Sequence, residues 1–192
     1  MPETAHQRAI EENIFLSLPE FTITQKLEVE YQVANGVVAL EYGTPLTATE
    51  SSNTPTKISW NLNNEEPTYY TLLNLDLDAP LSGYPFLSPI AHLILVNIPA
   101  SSSGQSLEDL TKDGYLALDY TGAHAPPFVG YHRYVYLLLR QSGKIEVSDE
   151  FKRLTASRFN FKYSEFLEKF NLTPVAVNWF RAQNNIQTCN IC

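Results

Sequence analysis

Apolar residues fall into short blocks along this chain, and most of the blocks have the period of a strand. The exception comes first: between Glu3 and Leu18, Ala5, Ala9, Ile10, Ile14 and Leu18 keep a helical spacing that Pro19 ends, which predicts a helical N-terminal arm over residues 1–19. From Lys26 to Val33, Leu27, Val29, Tyr31 and Val33 alternate with polar residues, as in a half-buried strand. Asn35-Gly36 supplies a turn that tolerates positive φ, and Val37 to Leu40 continues as a second strand. Gly43 to Lys57, rich in Thr, Ser and Pro, reads as a surface loop, with strand signals resuming at Ile58.

Two runs of Leu, Ile, Val and Tyr, Tyr69 to Leu77 and Ile90 to Ile98, have no polar alternation and predict strands buried on both faces. Between them APLSGYPFLSP carries three prolines and a glycine, which cannot sustain a ladder, so the chain must leave the sheet at its end. Tyr131 to Gln141 is a third apolar strand. Ser148 to Ser157 has a mixed, helix-compatible pattern, and in Lys162 to Phe170 the residues Tyr163, Phe166, Leu167 and Phe170 mark one helical face. Pro174 opens a last extended segment, PVAVNWFRAQ, before a polar tail over 184–192. Many strands and few helices predict a mainly β fold: an antiparallel, Greek-key β-sandwich with peripheral N- and C-terminal helices, as a single domain over 1–192. Periodicity alone also accommodates an α+β arrangement.

Composition narrows the functional classes. The chain is 192 residues with 44% apolar and 18% charged residues, enough to pack an interior. A net charge of −8, with no basic cluster beyond Lys152 and Arg153, disfavours long-range attraction to nucleic acid or anionic membrane surfaces and leaves any phosphate affinity to a local site. No stretch approaches the roughly 18 apolar residues of a spanning helix, and MPETAHQRAIEEN has charges where a signal peptide needs its apolar core, so a cytosolic location is expected. Cys189 and Cys192 form a lone CxxC in the tail; metal sites need more ligands and redox pairs open helices, so it is assigned no function.

Three segments carry the chemistry: DLDAP (Asp76–Pro80), HLILVNI (His92–Ile98) and GYHRYVYLL (Gly130–Leu138). Taken singly, each Asp caps a turn and each His is a structural residue at a strand end. In this order they resemble the phosphatidylethanolamine-binding protein family, and EYGTPL and NFKYSEFLEKFNLTPVAVNWFRAQ extend the resemblance over roughly residues 10 to 185. The resemblance implies a β-sandwich in which Asp76, His92, Pro126, His132 and Tyr134 surround an anion such as phosphate. It also implies that Asp78 shapes the same loop and that Gly122 begins a Pro-rich wall.

The chain departs from the family's pattern at Leu77 and Leu81 in the DPDAPS motif, at Ile90 and Ala91 where an aromatic residue usually stands, and at Pro127-Phe128 in place of Lys-Gly. It also lacks a Tyr after Gln183 to serve as the lid of animal members, which implies a more open pocket.

Physically, two imidazoles and a phenol can donate to an anion without a permanent positive patch, while a buried Asp either orients a histidine and favours its protonated form or accepts a hydrogen bond from a protonated phosphate or an ammonium head group. Tyr134 and His132 share a strand face, Arg133 points away as a structural or solvent-facing residue, and His124 reads as a simple exposed loop residue.

The expected function is therefore a non-catalytic binding or regulatory protein whose ligand is phosphate, a phospholipid head group or a phosphorylated molecule. The resemblance further implies a serine carboxypeptidase or a kinase-pathway protein as partner, and its fungal branch makes a serine carboxypeptidase inhibitor with a working N-terminal arm the specific reading. A monomer without cofactor is expected. Metal binding by Asp76, His92 and His132 is compatible with their spacing but not required. The alternative is a phosphate- or ester-directed hydrolase using the same three residues. It lacks a nucleophile elbow, a P-loop or an HExxH motif, and Ser101–Ser103 read as plain loop.

Overall fold

The computed structural model describes residues 4–61, 69–126 and 129–183. Chain order runs through helices α1 (Ala5–Glu11) and α2 (Ile14–Ser17) and strands β1 (Gln25–Lys26), β2 (Glu28–Val33), β3 (Gly36–Ala39), β4 (Thr44–Thr47), β5 (Lys57–Ser59), β6 (Tyr69–Asp76) and β7 (Ile90–Pro99). Then come helix α3 (Leu107–Asp113), strands β8 (Tyr115–Leu118) and β9 (His132–Arg140), helices α4 (Asp149–Thr155) and α5 (Tyr163–Lys169), and strand β10 (Thr173–Gln183).

One large sheet has the order β1-β10-β9-β6-β7-β8, with β4 also pairing β10, and a small sheet has the order β3-β2-β5. The predicted double-sided burial of β6 and β7 has a simple cause. Along β6 and β9 side chains alternate between two cores: Leu73, Leu75, Val135, Leu137 and Leu139 face the helices, while Tyr70, Leu72, Tyr134, Tyr136 and Leu138 face the small sheet. Helices α4 and α5 cover the first face with Phe151, Leu154, Tyr163 and Phe166. On the other face the Tyr31 hydroxyl lies 2.6 Å from that of Tyr136 and 3.0 Å from that of Tyr120, tying the two sheets together.

The mainly β sandwich is as expected, with three differences in detail. The large sheet is mixed, because β10 runs parallel to β1 and to β4 as well as antiparallel to β9. Strand β4 falls inside the stretch read as loop; it is a short sheet edge with one buried side chain, Leu46, so threonines could stand at its other positions. Helix α3 and strand β8 lacked a long apolar period. The helix is seven residues long and started by Ser106, whose hydroxyl accepts from the Asp109 N–H at 3.1 Å.

The N-terminal arm is broken into two helices at Asn13, which adopts φ +56°. It is not a free appendage: Ala9, Ile14 and Leu18 are buried in the helix-side core. Two polar contacts pin the break. Trp179 Nε1 donates to Glu12 Oε2 at 2.8 Å, and Arg133 Nη1 donates to the carbonyls of Glu12 and Asn13 at 2.7 and 2.8 Å. The same guanidinium clasps Asp78 through Nη2 to Oδ1 at 2.6 Å and Nε to Oδ2 at 2.8 Å, a two-point ion pair with the carboxylate almost fully buried.

Because removing one partner strands a buried charge, Asp78→Asn should destabilise the protein by about 3–5 kcal/mol in urea unfolding. A loss below about 1 kcal/mol, the range of an exposed pair, would show that the clasp is dispensable.

Candidate functional site: a polar-floored pocket at one end of the sheet

Strands β6 and β9 are antiparallel neighbours, so the C-terminal end of one lies beside the N-terminal end of the other, with Asp76 opposite Tyr134. β7 begins at the same end, where Ile90 pairs with Asp76. The excursion predicted after β6 leaves from here, and its return is closed by Leu87 N–H donating to the Ala79 carbonyl at 3.1 Å. A cavity of ≈ 280 Å³ opens at this point. That is at the small end for ligand pockets, with room for a head group rather than a whole lipid.

Its floor is polar and its walls are apolar. Asp76, His92 and His132 line it together with Ala79, Pro80, Leu87, Ile90, Ala91, Thr121, His124, Pro126, Arg158 and Phe159. Asp76 is fully engaged: Oδ1 accepts the Asp78 N–H at 2.8 Å and Oδ2 lies 2.9 Å from His132 Nδ1. An ionised carboxylate can only accept, so the proton of this contact sits on Nδ1 of His132. His92 Nδ1 lies 2.7 Å from the Thr121 carbonyl, which fixes the same tautomer.

His132 Nε2 and the Tyr134 hydroxyl are both buried without a hydrogen-bond partner among the described residues. Such orphaned groups are rare, and here two of them occur on alternate residues of one strand at the pocket end. The rings are packed as a unit: Tyr134 stacks on Phe180 at 5.0 Å and on His132 at 6.4 Å, and meets His92 edge-on at 5.1 Å.

Electrostatics follow from burial. Desolvation lowers the His92 pKa below its ordinary value, the Thr121 carbonyl and Asp76 offsetting part of the effect. Burial first, and the field of Asp76 second, raise the Tyr134 hydroxyl well above the usual phenol range, so it stays protonated and able to donate.

Of the seven sequence-predicted residues, Asp76, His92, Pro126 and His132 line the cavity and Tyr134 packs against both imidazoles. Asp78 and Gly122 do not line it. Asp78 is used up by Arg133, accepting its N–H at 2.7 Å as well as the guanidinium, so Arg133 is structural as expected. Gly122 is needed for close approach: a Cβ there would lie 2.6 Å from Ser52 Cα. His124 is exposed, as expected, yet it lines the pocket mouth.

Sequence reading missed Arg158 and Phe159. Arg158 Nη1 donates to the Ala91 and Asp119 carbonyls and Nη2 pairs with the Asp119 carboxylate, which brings a cation to the wall. Nothing in the local pattern SRFNF distinguishes it from a solvated turn. The rim departure at Pro127-Phe128 and the tail with Cys189 and Cys192 lie outside the described residues. Among the described residues no group of three or more His, Cys, Asp and Glu side chains could hold a metal ion, and no helix is long and apolar enough to cross a membrane.

The fold and the pocket together define a β-sandwich protein with a head-group-sized cavity at one end of its central sheet. The model of the family described as phosphatidylethanolamine-binding protein matches residues 19–180, and the chain belongs to that family. It is 28% identical over 160 residues to putative odorant-binding protein A5 of Drosophila melanogaster, covering 82% of this chain and 70% of the relative. Among solved structures, the carboxypeptidase Y inhibitor in complex with its cognate proteinase superposes with a TM-score of 0.73 at 21% identity, over 94% of this chain and 95% of the inhibitor. The phosphatidylethanolamine-binding protein of Plasmodium vivax gives 0.71 at 16% identity, over 96% and 100%. The likeness to these structures shows the fold, and the family places the chain among binding proteins.

The lowered His92 pKa has a definite sign in stability. The folded state holds the imidazole neutral while the unfolded state protonates it near pH 6.5, so the unfolded state binds more protons below that pH and stability falls as pH falls through it. His92→Gln should flatten the decline in unfolding free energy below pH 6.5. A variant whose pH profile superimposes on the native one would remove His92 from this role.

Proposed function

We propose that the pocket binds the phosphate-bearing head of a small ligand without turning it over, and that the anion enters together with a proton. The observation that carries this reading is the buried His132 Nε2, oriented through Nδ1 by Asp76 and left without a partner among the described residues. As a neutral ring it presents a lone pair, which repels a bare anion. As an imidazolium, supported by Asp76, it presents an N–H donor in a site of low polarisability. Tyr134 adds a second donor, and Arg158 a cation already shared with Asp119.

Several observations favour binding over hydrolysis. The described lining residues include no Ser or Cys to act as nucleophile. The hydroxyls of Ser102 and Ser103 are committed elsewhere, to Asp113 at 2.6 Å and to the Trp60 carbonyl at 2.7 Å. p-Nitrophenyl phosphate and acetate should therefore show no turnover above buffer, and a rate that His132→Ala abolishes would make the protein an enzyme.

A serine carboxypeptidase is the protein partner we favour, on the likeness to the inhibitor complex over nearly the whole chain. Since the arm contributes Ala9, Ile14 and Leu18 to the core, its packed residues serve first to hold the fold, and any contact with a protease falls to its exposed face, which carries Ile10 and Leu16.

Calorimetry with sulfate or inorganic phosphate, run in two buffers of different ionisation heat, should show uptake of about one proton per anion and tighter binding at lower pH. Asp76→Asn should weaken the anion at least tenfold, even though it removes a negative charge. Stronger binding by that variant would mean that Asp76 acts only by repulsion, and the proton-coupled reading would fall.

A further inference from the structure

The end of the central sheet away from the pocket carries a second, larger cavity of ≈ 650 Å³. Here Tyr69 at the start of β6 pairs with Pro99 at the end of β7, and Tyr70 pairs with Arg140 at the end of β9. β6 runs from Tyr69 to Asp76, which sets the two cavities roughly 23 Å apart at about 3.3 Å per residue. Three walls bound the far cavity: the ends of β6 and β7, the corner between α3 and β8, and the segment 144–147 that leads to α4. Its size is that of a small-molecule site.

The wall made by the segment before α4 is held as firmly as a strand. Asn97, at φ +61°, uses its side chain as a second backbone: the Ile145 N–H donates to Asn97 Oδ1 at 2.7 Å, and Asn97 Nδ2 donates to the Ile145 carbonyl at 3.0 Å. Gln141 Nε2 donates to Asn97 Oδ1 and to the Gly143 carbonyl, both at 2.9 Å. Gln141 Oε1 accepts the Asn97 N–H at 2.8 Å and the Thr71 hydroxyl at 2.9 Å. Both side-chain amides are buried with oxygen and nitrogen engaged, so this wall is preformed.

The side chains on the frame are aromatic and acidic. Asp113 and Glu146 line the cavity and have no ion-pair partner among the described residues; Asp113 accepts only from Ser102 Oγ, at 2.6 Å. Asp113 also ends α3, where free carbonyls already disfavour a negative charge. Lys144 is the one cation among the described lining residues, and its ammonium rests 5.9 Å from the Tyr69 ring centroid. Tyr115 is 41% exposed, its ring braced edge-on by Phe151 at 5.9 Å. Unpaired carboxylates beside an open tyrosine ring attract a cation that carries an apolar body. An anion meets a lining of net negative charge on a chain of net −8.

We propose that this far cavity binds a small amphiphilic amine in its protonated form, the ammonium drawn to Asp113 and Glu146 and the apolar body lying against Tyr115 and Val147. The site shares no residue with the anion pocket, so it stands whether or not that pocket takes phosphate.

The test is titration of the full chain with phenethylamine, followed by ¹H–¹⁵N correlation spectra. Saturable shifts are expected at the amides of Gly114, Tyr115 and residues 144–147. 2-Phenylethanol, which has the same body without the charge, should bind at least tenfold more weakly, and 3-phenylpropanoate more weakly still. The Asp113→Asn, Glu146→Gln double variant keeps an acceptor for Ser102, and it should lose at least tenfold in amine affinity while its thermal unfolding stays unchanged. The single Glu146→Gln variant, at an exposed position, should lose part of the affinity on its own. Three results would overturn the proposal: no saturable shifts at these residues, equal binding of the alcohol and the amine, or native amine affinity in the double variant.

Discussion

Two carboxylates two residues apart, Asp76 and Asp78, hold the functional end of this protein together. The chain leaves β6 between them, and each points into a different part of the structure. Asp76 turns to the sandwich side, where it accepts from its own turn through the Asp78 N–H and orients His132. Asp78 binds both the backbone N–H and the guanidinium of Arg133. Because His132 and Arg133 are adjacent on β9, their side chains leave the strand in opposite directions, and the paired carboxylates fix both at once. The pocket floor and the pinning of the N-terminal arm through the Glu12 and Asn13 carbonyls thus share one short stretch of backbone.

This arrangement explains how a chain of net −8 can hold an anion-sized polar site. A buried carboxylate would be expected to keep anions out. Here both of its oxygens are already occupied, one by a backbone amide and one by an imidazole N–H, so neither faces an incoming anion unpartnered. The two orphaned groups, His132 Nε2 and the Tyr134 hydroxyl, are the polar capacity left over once the internal partners are satisfied. Around this floor the described walls are mostly apolar.

The sandwich was legible because its central strands are extreme. Tyr69–Asp76, Ile90–Pro99 and His132–Arg140 are long, leucine- and β-branched-rich runs without strand-period polar alternation, the pattern of strands buried on both faces. Strand β4 and helix α3 were not, since a four-residue edge and a seven-residue helix are too short to display a period. Parallel pairing of β10 with β1 and β4 is a matter of chain path, which no local pattern encodes. In the site, Asp76, His92 and His132 were legible from the motifs they sit in. Asp78 carries the same motif signal yet serves the clasp, because which of two neighbouring carboxylates meets a guanidinium depends on the strand across from it. Arg158 and Phe159 reach the wall only through the fold-back of the turn after α4, where Ala91 N–H donates to the Arg158 carbonyl at 2.8 Å.

Proton-coupled binding requires a change of state at one nitrogen, His132 Nε2. Two-bond ¹H–¹⁵N correlation of the histidine rings reads it directly, recorded near neutral pH before and after addition of inorganic phosphate. The prediction is that His132 begins as the neutral ring protonated at Nδ1, and that phosphate converts it to the imidazolium, with both nitrogens protonated. Saturation with phosphate that leaves the His132 signals unmoved would contradict it.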